Sequence, residues 1–123
     1  FENFKRRTAK ERIELYSTAG ENILTSILPI LDDFERAIKT LENEKENEGM
    51  LLIYSKFKTI LEQKGLKIMD NPIGKDLNTD YHEAITNIPS PSKKMTGKII
   101  DVIENGYLLN DKIIRFAKVV VAK

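Results

Sequence analysis

Leu77-Asn78-Thr79-Asp80-Tyr81-His82-Glu83-Ala84-Ile85 lies in a part of the chain whose texture differs sharply from what precedes it. Twenty residues separate it from Gly106-Tyr107, and Asp111, Ile114-Arg115 and Val119-Val120-Val121 follow. These islands belong to a region of short apolar runs broken by turn residues, the pattern of a small β module. Upstream the pattern is helical, with almost no strand character. The chain therefore reads as α+β, with a long helix and a second helix over residues 1–65 and a small all-β domain over 66–123.

Leu66–Met69 is a short strand candidate, and Asn71-Pro72-Ile73-Gly74 a turn. Tyr81–Ile88 is a second candidate, ended by Pro89-Ser90-Pro91-Ser92. Lys98–Glu104 and Tyr107–Leu109 flank Asn105-Gly106, the pair preferred in tight hairpins. Asn110-Asp111 makes another turn before a strand over Ile113–Ala122. Four to six strands are expected, with Ile113, Ile114, Phe116, Val119, Val120 and Val121 buried. Their alternation is imperfect, which predicts strands covered on both faces.

In the helical part, Ile13, Tyr16, Gly20, Ile23, Ile27, Ile30, Phe34, Ala37 and Leu41 step by threes and fours, an a/d seam. Leu24, Leu28, Leu31 and Ile38 form a second stripe beside it, so the apolar face from Ile23 onward is wide enough for a bundle. Pro29 predicts a kink, or an end to the helix one turn early. Glu42–Glu48 is polar and reads as a loop or frayed end. Met50, Ile53, Tyr54, Phe57, Ile60 and Leu61 define a second amphipathic helix, with Gly65 placed as its left-handed cap. Each helix has a single apolar face, and two copies of the chain would supply a dimeric four-helix bundle. The chain starts at Phe1 inside the helical pattern, which predicts more of the same helix upstream.

The 123 residues include 41% hydrophobic and 32% charged, enough for a modest core and long exposed helices. There is no Cys, hence no disulfide framework and no thiolate metal site. No run approaches the roughly 18 apolar residues of a membrane span. The net charge of +1 gives no overall pull toward nucleic acid. The charge is uneven, however, with residues 93–123 basic and the remainder slightly acidic.

Candidate chemistry is sparse. Lys5-Arg6-Arg7 with Lys10 and Arg12 is a basic helix cluster suited to an acidic partner surface, or else a solvated face interrupted by Glu2, Glu11 and Glu14. His82 is the sole His and lacks the partners that catalysis or metal binding needs, so it reads as a packed or hydrogen-bonding turn residue. Asp32 and Glu35 share a helix face with Arg36 and Lys39 and read as surface ion pairs. No Gly-rich phosphate loop and no nucleophile–base pair occur. No enzyme, cofactor or metal is expected.

Four stretches, in order, resemble the GrpE family of nucleotide exchange factors for DnaK-type chaperones. Phe1-Glu2-Asn3-Phe4-Lys5-Arg6-Arg7-Thr8 is similar to the end of that family's long paired helix. Ile27–Ile38, with its Leu28-Pro29-Ile30-Leu31-Asp32-Asp33-Phe34 core, resembles the bundle motif. Gly49–Phe57 resembles the start of the second bundle helix, and the islands quoted above resemble the β-domain signature. Thr79 and Leu77 stand where Pro and Phe are common in the family, and Phe116 where Pro or a small residue is.

The resemblance implies a cytoplasmic homodimeric co-chaperone of the stress response. Its β domains would sit like wings, one of them holding open the nucleotide cleft of the chaperone's ATPase domain so that ADP leaves. By position, the partner contacts would be Lys5, Arg6, Arg36, Gly49, Leu77, Ile103 and Val121. The dimer interface would be Ile13, Tyr16, Ile23, Ile27, Ile30, Phe34, Leu41, Tyr54, Phe57 and Leu61. The long helices of the family can unwind on heating, and the weak seam before Ile13 is compatible with low local stability. Membrane and nucleic acid are not expected partners. The alternatives are a non-catalytic coiled-coil adaptor that binds peptides through its β domain, a coiled-coil DNA binder using Lys5–Arg12, and, least favoured, an enzyme.

Overall fold

The computed structural model describes residues 1–40 and 47–123. Leu41 and most of the expected Glu42–Glu48 loop lie outside the described residues. Helix α1 runs over Glu2–Thr40 and α2 over Glu48–Gln63. Six strands follow: β1 Leu66–Ile68, β2 His82–Ile88, β3 Ile99–Glu104, β4 Tyr107–Leu109, β5 Lys112–Arg115 and β6 Ala117–Ala122.

Helix α1 has 39 residues and is roughly 58 Å long at 1.5 Å per residue. Its polar residues fit a helix well. Glu2 lies in the first turn and Lys39 in the last, each favourable to the helix dipole. Thr8, Thr18, Thr25 and Ser26 donate their hydroxyls to carbonyls four residues back. Of the two outcomes expected at Pro29, a kink or an early end, the early end does not occur, and the helix continues to Thr40. Interior Pro costs about 3 kcal/mol. Leu28 and Leu31, on either side of it, are fully buried. Burying each contributes about 1.5–3 kcal/mol, so packing holds the helix together through the proline.

The two apolar stripes divide the work. Leu28 and Leu31 of the second stripe join Leu61, Leu66 and Tyr107 in one core cluster, with Leu24, Ile27, Tyr54, Phe57 and Ile114 against it. The sheet β1-β4-β5 is thus seated on both helices. Ile13, Tyr16, Ile23 and Ile30 of the first stripe stay exposed, 53–70% each. Helix α2 ends where expected. Gly65 has φ +100°, and a Cβ there would collide with the Asn110 side chain. The amide of Asn110 donates to the Gly65 carbonyl at 3.0 Å. Asn110 and Asp111 both have positive φ, 49° and 68°, the geometry of the tight turn joining β4 to β5.

The second sheet has the order β2-β6-β3, with β2 parallel and β3 antiparallel to β6. Its core is Ile99, Ala117 and Val119, with Met69, Leu77, Val102 and Val121 packed around. In the central β6, Ala117, Val119, Val120 and Ala122 are all buried, so the strand is covered on both faces as its apolar run predicts.

Three local expectations need correction. Asn105-Gly106 is not a hairpin turn, because β3 and β4 belong to different sheets. Gly106 is there for space, since a Cβ would meet the Met69 sulfur and stand 2.7 Å from the Ala117 backbone nitrogen. The expected strand over Ile113–Ala122 is two strands, split at Phe116, with β5 in one sheet and β6 in the other. Phe116, expected to be buried, sits at that corner and is 45% exposed.

Candidate functional site

Arg115 is the hub joining the β domain to α1. Its Nη1 and Nη2 donate to Asp32 Oδ2 and Oδ1 at 2.6 and 2.8 Å, a two-pronged pair across 83 residues of sequence. Nη1 also donates to Glu104 Oε1 at 3.2 Å, and Nε to the Asn105 carbonyl at 2.9 Å. The guanidinium lies over the Tyr107 ring, 5.2 Å from its centre. Burial works against the charge of Arg115. The hydrogen bonds and charges of Asp32 and Glu104 outweigh that and raise its pKa.

Glu35 extends the network. It accepts the Tyr54 hydroxyl at 2.6 Å and the Asn105 side-chain amide at 3.3 Å. Burial, then Glu35, raises the Tyr54 pKa, so the phenol stays protonated and donating. Asp32 and Glu35 are therefore not the surface ion pairs their helix positions suggest. They face the β domain, and the surface pair is Arg36–Asp33 at 3.4 Å.

Above this network opens a cleft of about 420 Å³ between α1 and the second sheet. Arg36 and Lys39 stand on its helical wall, and Ile85, Ile103 and Lys118 on its sheet wall. Two of the residues singled out as partner contacts, Arg36 and Ile103, thus meet at one place. The others are dispersed. Lys5 and Arg6 lie near the far end of α1, so Arg6 is roughly 45 Å along the helix from Arg36. Lys5 rests over the Phe1 ring at 4.6 Å. Gly49 is in the first turn of α2, exposed, with nothing within 4 Å of where a Cβ would be. Leu77 and Val121 are half-buried against the second core cluster. Of the proposed interface residues, Leu61 is buried within its own chain, while Ile27, Phe34, Tyr54 and Phe57 are half-buried there.

A family model for GrpE matches residues 1–123, the whole chain. The chain belongs to the GrpE family. A relative named Protein GrpE from Bacteroides thetaiotaomicron is 50% identical over 127 residues, which cover all of this chain and 65% of that protein. Proteins of the same name from Porphyromonas gingivalis and Chlorobaculum tepidum are 43% and 36% identical, again across all of this chain and 65% and 66% of theirs. The chain thus spans about two thirds of the length of these GrpE relatives. Among the described residues no helix is long and apolar enough to cross a membrane. Nor does any group of three His, Asp or Glu residues among them stand ready to hold a metal ion.

His82 lies outside the cleft of this GrpE-family chain, at the start of β2. Its Nδ1 accepts the Asn78 amide at 3.1 Å, while its own amide donates to the Asn78 carbonyl at 2.8 Å. This is the hydrogen-bonding turn role its sequence context predicts. Burial, then the charge of Lys75, lowers its pKa below 6.5. The unfolded chain therefore binds the proton more readily. The His82 contribution to stability is complete above pH 6.5 and is lost as pH falls below it. With a single His, the titration is directly readable by NMR. The imidazole resonance is expected to titrate below 6.5. A midpoint at or above that value would contradict the packing of this turn.

Proposed function

We propose that this protein is a nucleotide exchange factor for a DnaK-type chaperone, acting as a homodimer in the cytoplasm. It binds the chaperone's ATPase domain, favours the open nucleotide cleft and so accelerates ADP release. The observation that carries this reading is the GrpE match across the entire chain, joined to a long helix, a second helix and a small β domain in the family's order. No bond is made or broken. A protein that binds the open state better than the closed one lowers ADP affinity by linkage alone.

The surface of a single chain supports the dimer. Ile13, Tyr16, Ile23 and Ile30 on α1 and Leu52, Ile53 and Ile60 on α2 are exposed large apolar groups. A second copy would bury them, since apolar surface on this scale marks an interaction site. The rigid seating of the β domain on α1 through Arg115 suits a device that must transmit force to a partner lobe.

The test is stopped-flow release of a fluorescent ADP analogue from a DnaK-type chaperone. Acceleration by orders of magnitude is expected, and a folded dimer that leaves the rate unchanged would remove the exchange reading. Gly49→Asp refines it. The site is open, and an acidic residue in the first turn of α2 suits the helix dipole. The variant should therefore remain a folded dimer while binding the ATPase domain on the order of tenfold more weakly, the scale of an interface contact. Undiminished binding would remove Gly49 from the interface.

One observation favours a second reading. Strand β2 is an edge strand, and six of its seven residues are exposed. An adaptor could bind an extended peptide there by strand addition. Chaperone binding without faster ADP release would favour that role.

A further inference from the structure

A second pocket, of about 340 Å³, opens between the two sheets, and no residue of α1 or α2 lines it. Strand β1 is an edge of the order β1-β4-β5, and β2 an edge of β2-β6-β3. Both edges contribute to the pocket, Lys67 and Ile68 from β1 and His82 from the start of β2. An edge strand presents unpaired backbone N–H and C=O groups, the template on which an extended chain is captured. The pocket is thus placed where a chain lying along an edge could end. Ile68 and Leu108 give it an apolar floor, completed by the buried Pro72. Its volume is at the small end for ligand pockets, room for one residue and not for a folded partner.

The polar groups around this floor are uncommitted. Lys67 and Lys75 make no ion pair among the described residues. Lys75 is near enough to His82 for its charge to act on the ring. His82 Nδ1 accepts the Asn78 amide, so the neutral ring carries its proton on Nε2 and can donate it. Tyr81 walls the site beside His82, their ring centres 6.4 Å apart, and is 44% exposed. Asp70 is the one carboxylate among the lining residues. Two lysines against one aspartate, with His82 neutral, leave a single positive charge in excess. That balance suits one carboxylate better than a phosphate group, which carries about −1.5 to −2.

We infer that this pocket captures the C-terminal end of an extended peptide whose last residue is apolar. The last side chain rests on Ile68, Pro72 and Leu108. The terminal carboxylate accepts from Lys67, Lys75 and His82 Nε2, charge-assisted hydrogen bonds that an internal peptide segment cannot offer. The inference does not rest on the exchange-factor reading. Its residues are separate from the cleft beside α1, and either can fail without the other.

The experiment is an NMR titration of the intact protein with acetylated pentapeptides ending in leucine, valine or phenylalanine. Each is used as the free acid and as the C-terminal amide. The single His ring and the Met69 methyl, both at the pocket, report binding. At least one free acid is expected to shift both signals saturably, with its amide ~10-fold weaker or worse. Lys75→Ala and Lys67→Ala are each expected to weaken the free acid ~10-fold, and Lys94→Ala, between β2 and β3, to match wild type. The comparison of acid with amide needs no variant, so it decides the matter even if a substitution disturbs the fold. If acid and amide bind equally, or no peptide shifts the signals at millimolar concentration, the inference falls. If N-acetyl-leucine alone binds as tightly as the leucine peptide, the pocket takes a small carboxylic acid and the peptide assignment is overturned. If Lys75→Ala slows ADP release from the chaperone and leaves peptide binding alone, the pocket belongs to the chaperone contact and the inference is overturned.

Discussion

Replacing Arg115 with Met is expected to lower the stability of the protein by about 3 kcal/mol, measured by denaturant unfolding at fixed protein concentration. The guanidinium and the Asp32 carboxylate are 13% and 16% exposed, so water cannot replace what is lost. Removing the cation leaves Asp32 and Glu104 facing each other in a half-dry pocket, with the Asn105 carbonyl unpaired as well. The cost arises from the stranded carboxylates more than from the lost attraction. A triple variant that also carries Asp32→Leu and Glu104→Leu should therefore recover a large part of the loss. If Arg115→Met alone costs less than about 1 kcal/mol, the value of an exposed pair, the latch is ordinary surface charge. The same variant tests mechanism, because Arg115 spans the joint between helix and β domain. Under the proposed exchange activity, a loosened joint predicts weaker acceleration of ADP release even at temperatures where the variant remains folded.

Gly106→Ala is expected to cost about 2–3 kcal/mol, the upper part of the range for overpacking a filled site. An ideal Cβ at this position stands 2.7 Å from the Ala117 backbone nitrogen. The Met69 side chain can swing aside, but the backbone of β6 cannot move without disturbing a strand buried on both faces. The change would also strain the link in which the Met69 amide donates to the Gly106 carbonyl at 2.9 Å. Thermal unfolding compared with wild type measures this directly. A change in stability under about 0.5 kcal/mol, the level of a neutral surface substitution, would mean that the corner between the sheets is pliant.

Much of the architecture could be read from periodicity. Three- and four-residue spacing marked both helices, and Gly65 marked the end of α2 by the backbone freedom that a positive φ requires. Asn110-Asp111 announced a tight turn for the same reason. The early helix end allowed for at Pro29 does not occur, because the local cost of proline is visible in sequence and the compensating burial of Leu28 and Leu31 is not. Asn105-Gly106 was misread because a glycine kept for close approach looks the same in sequence as a glycine kept for positive φ. The site was less legible. Asp32 and Glu35 looked like solvated neighbours of Arg36, since helical spacing says which residues share a face and nothing about what that face meets. One signal was available in Arg115, a cation set among Ile113, Ile114, Phe116 and Ala117, which a buried counter-charge would explain.

Local chemistry and pattern by themselves determined the order of elements, the helical faces and the family resemblance, because each depends on spacings of a few residues along the chain. The tertiary structure alone decided that the β domain is latched to α1 through Arg115 and Asp32, 83 residues apart. It alone decided that one-residue irregularities in β2 and β3 turn Ile85 and Ile103 into a cleft beside Arg36 and Lys39. Both depend on strand register and on the seating of a sheet against a helix, which are set by the packing of the whole molecule and leave no periodicity in the sequence.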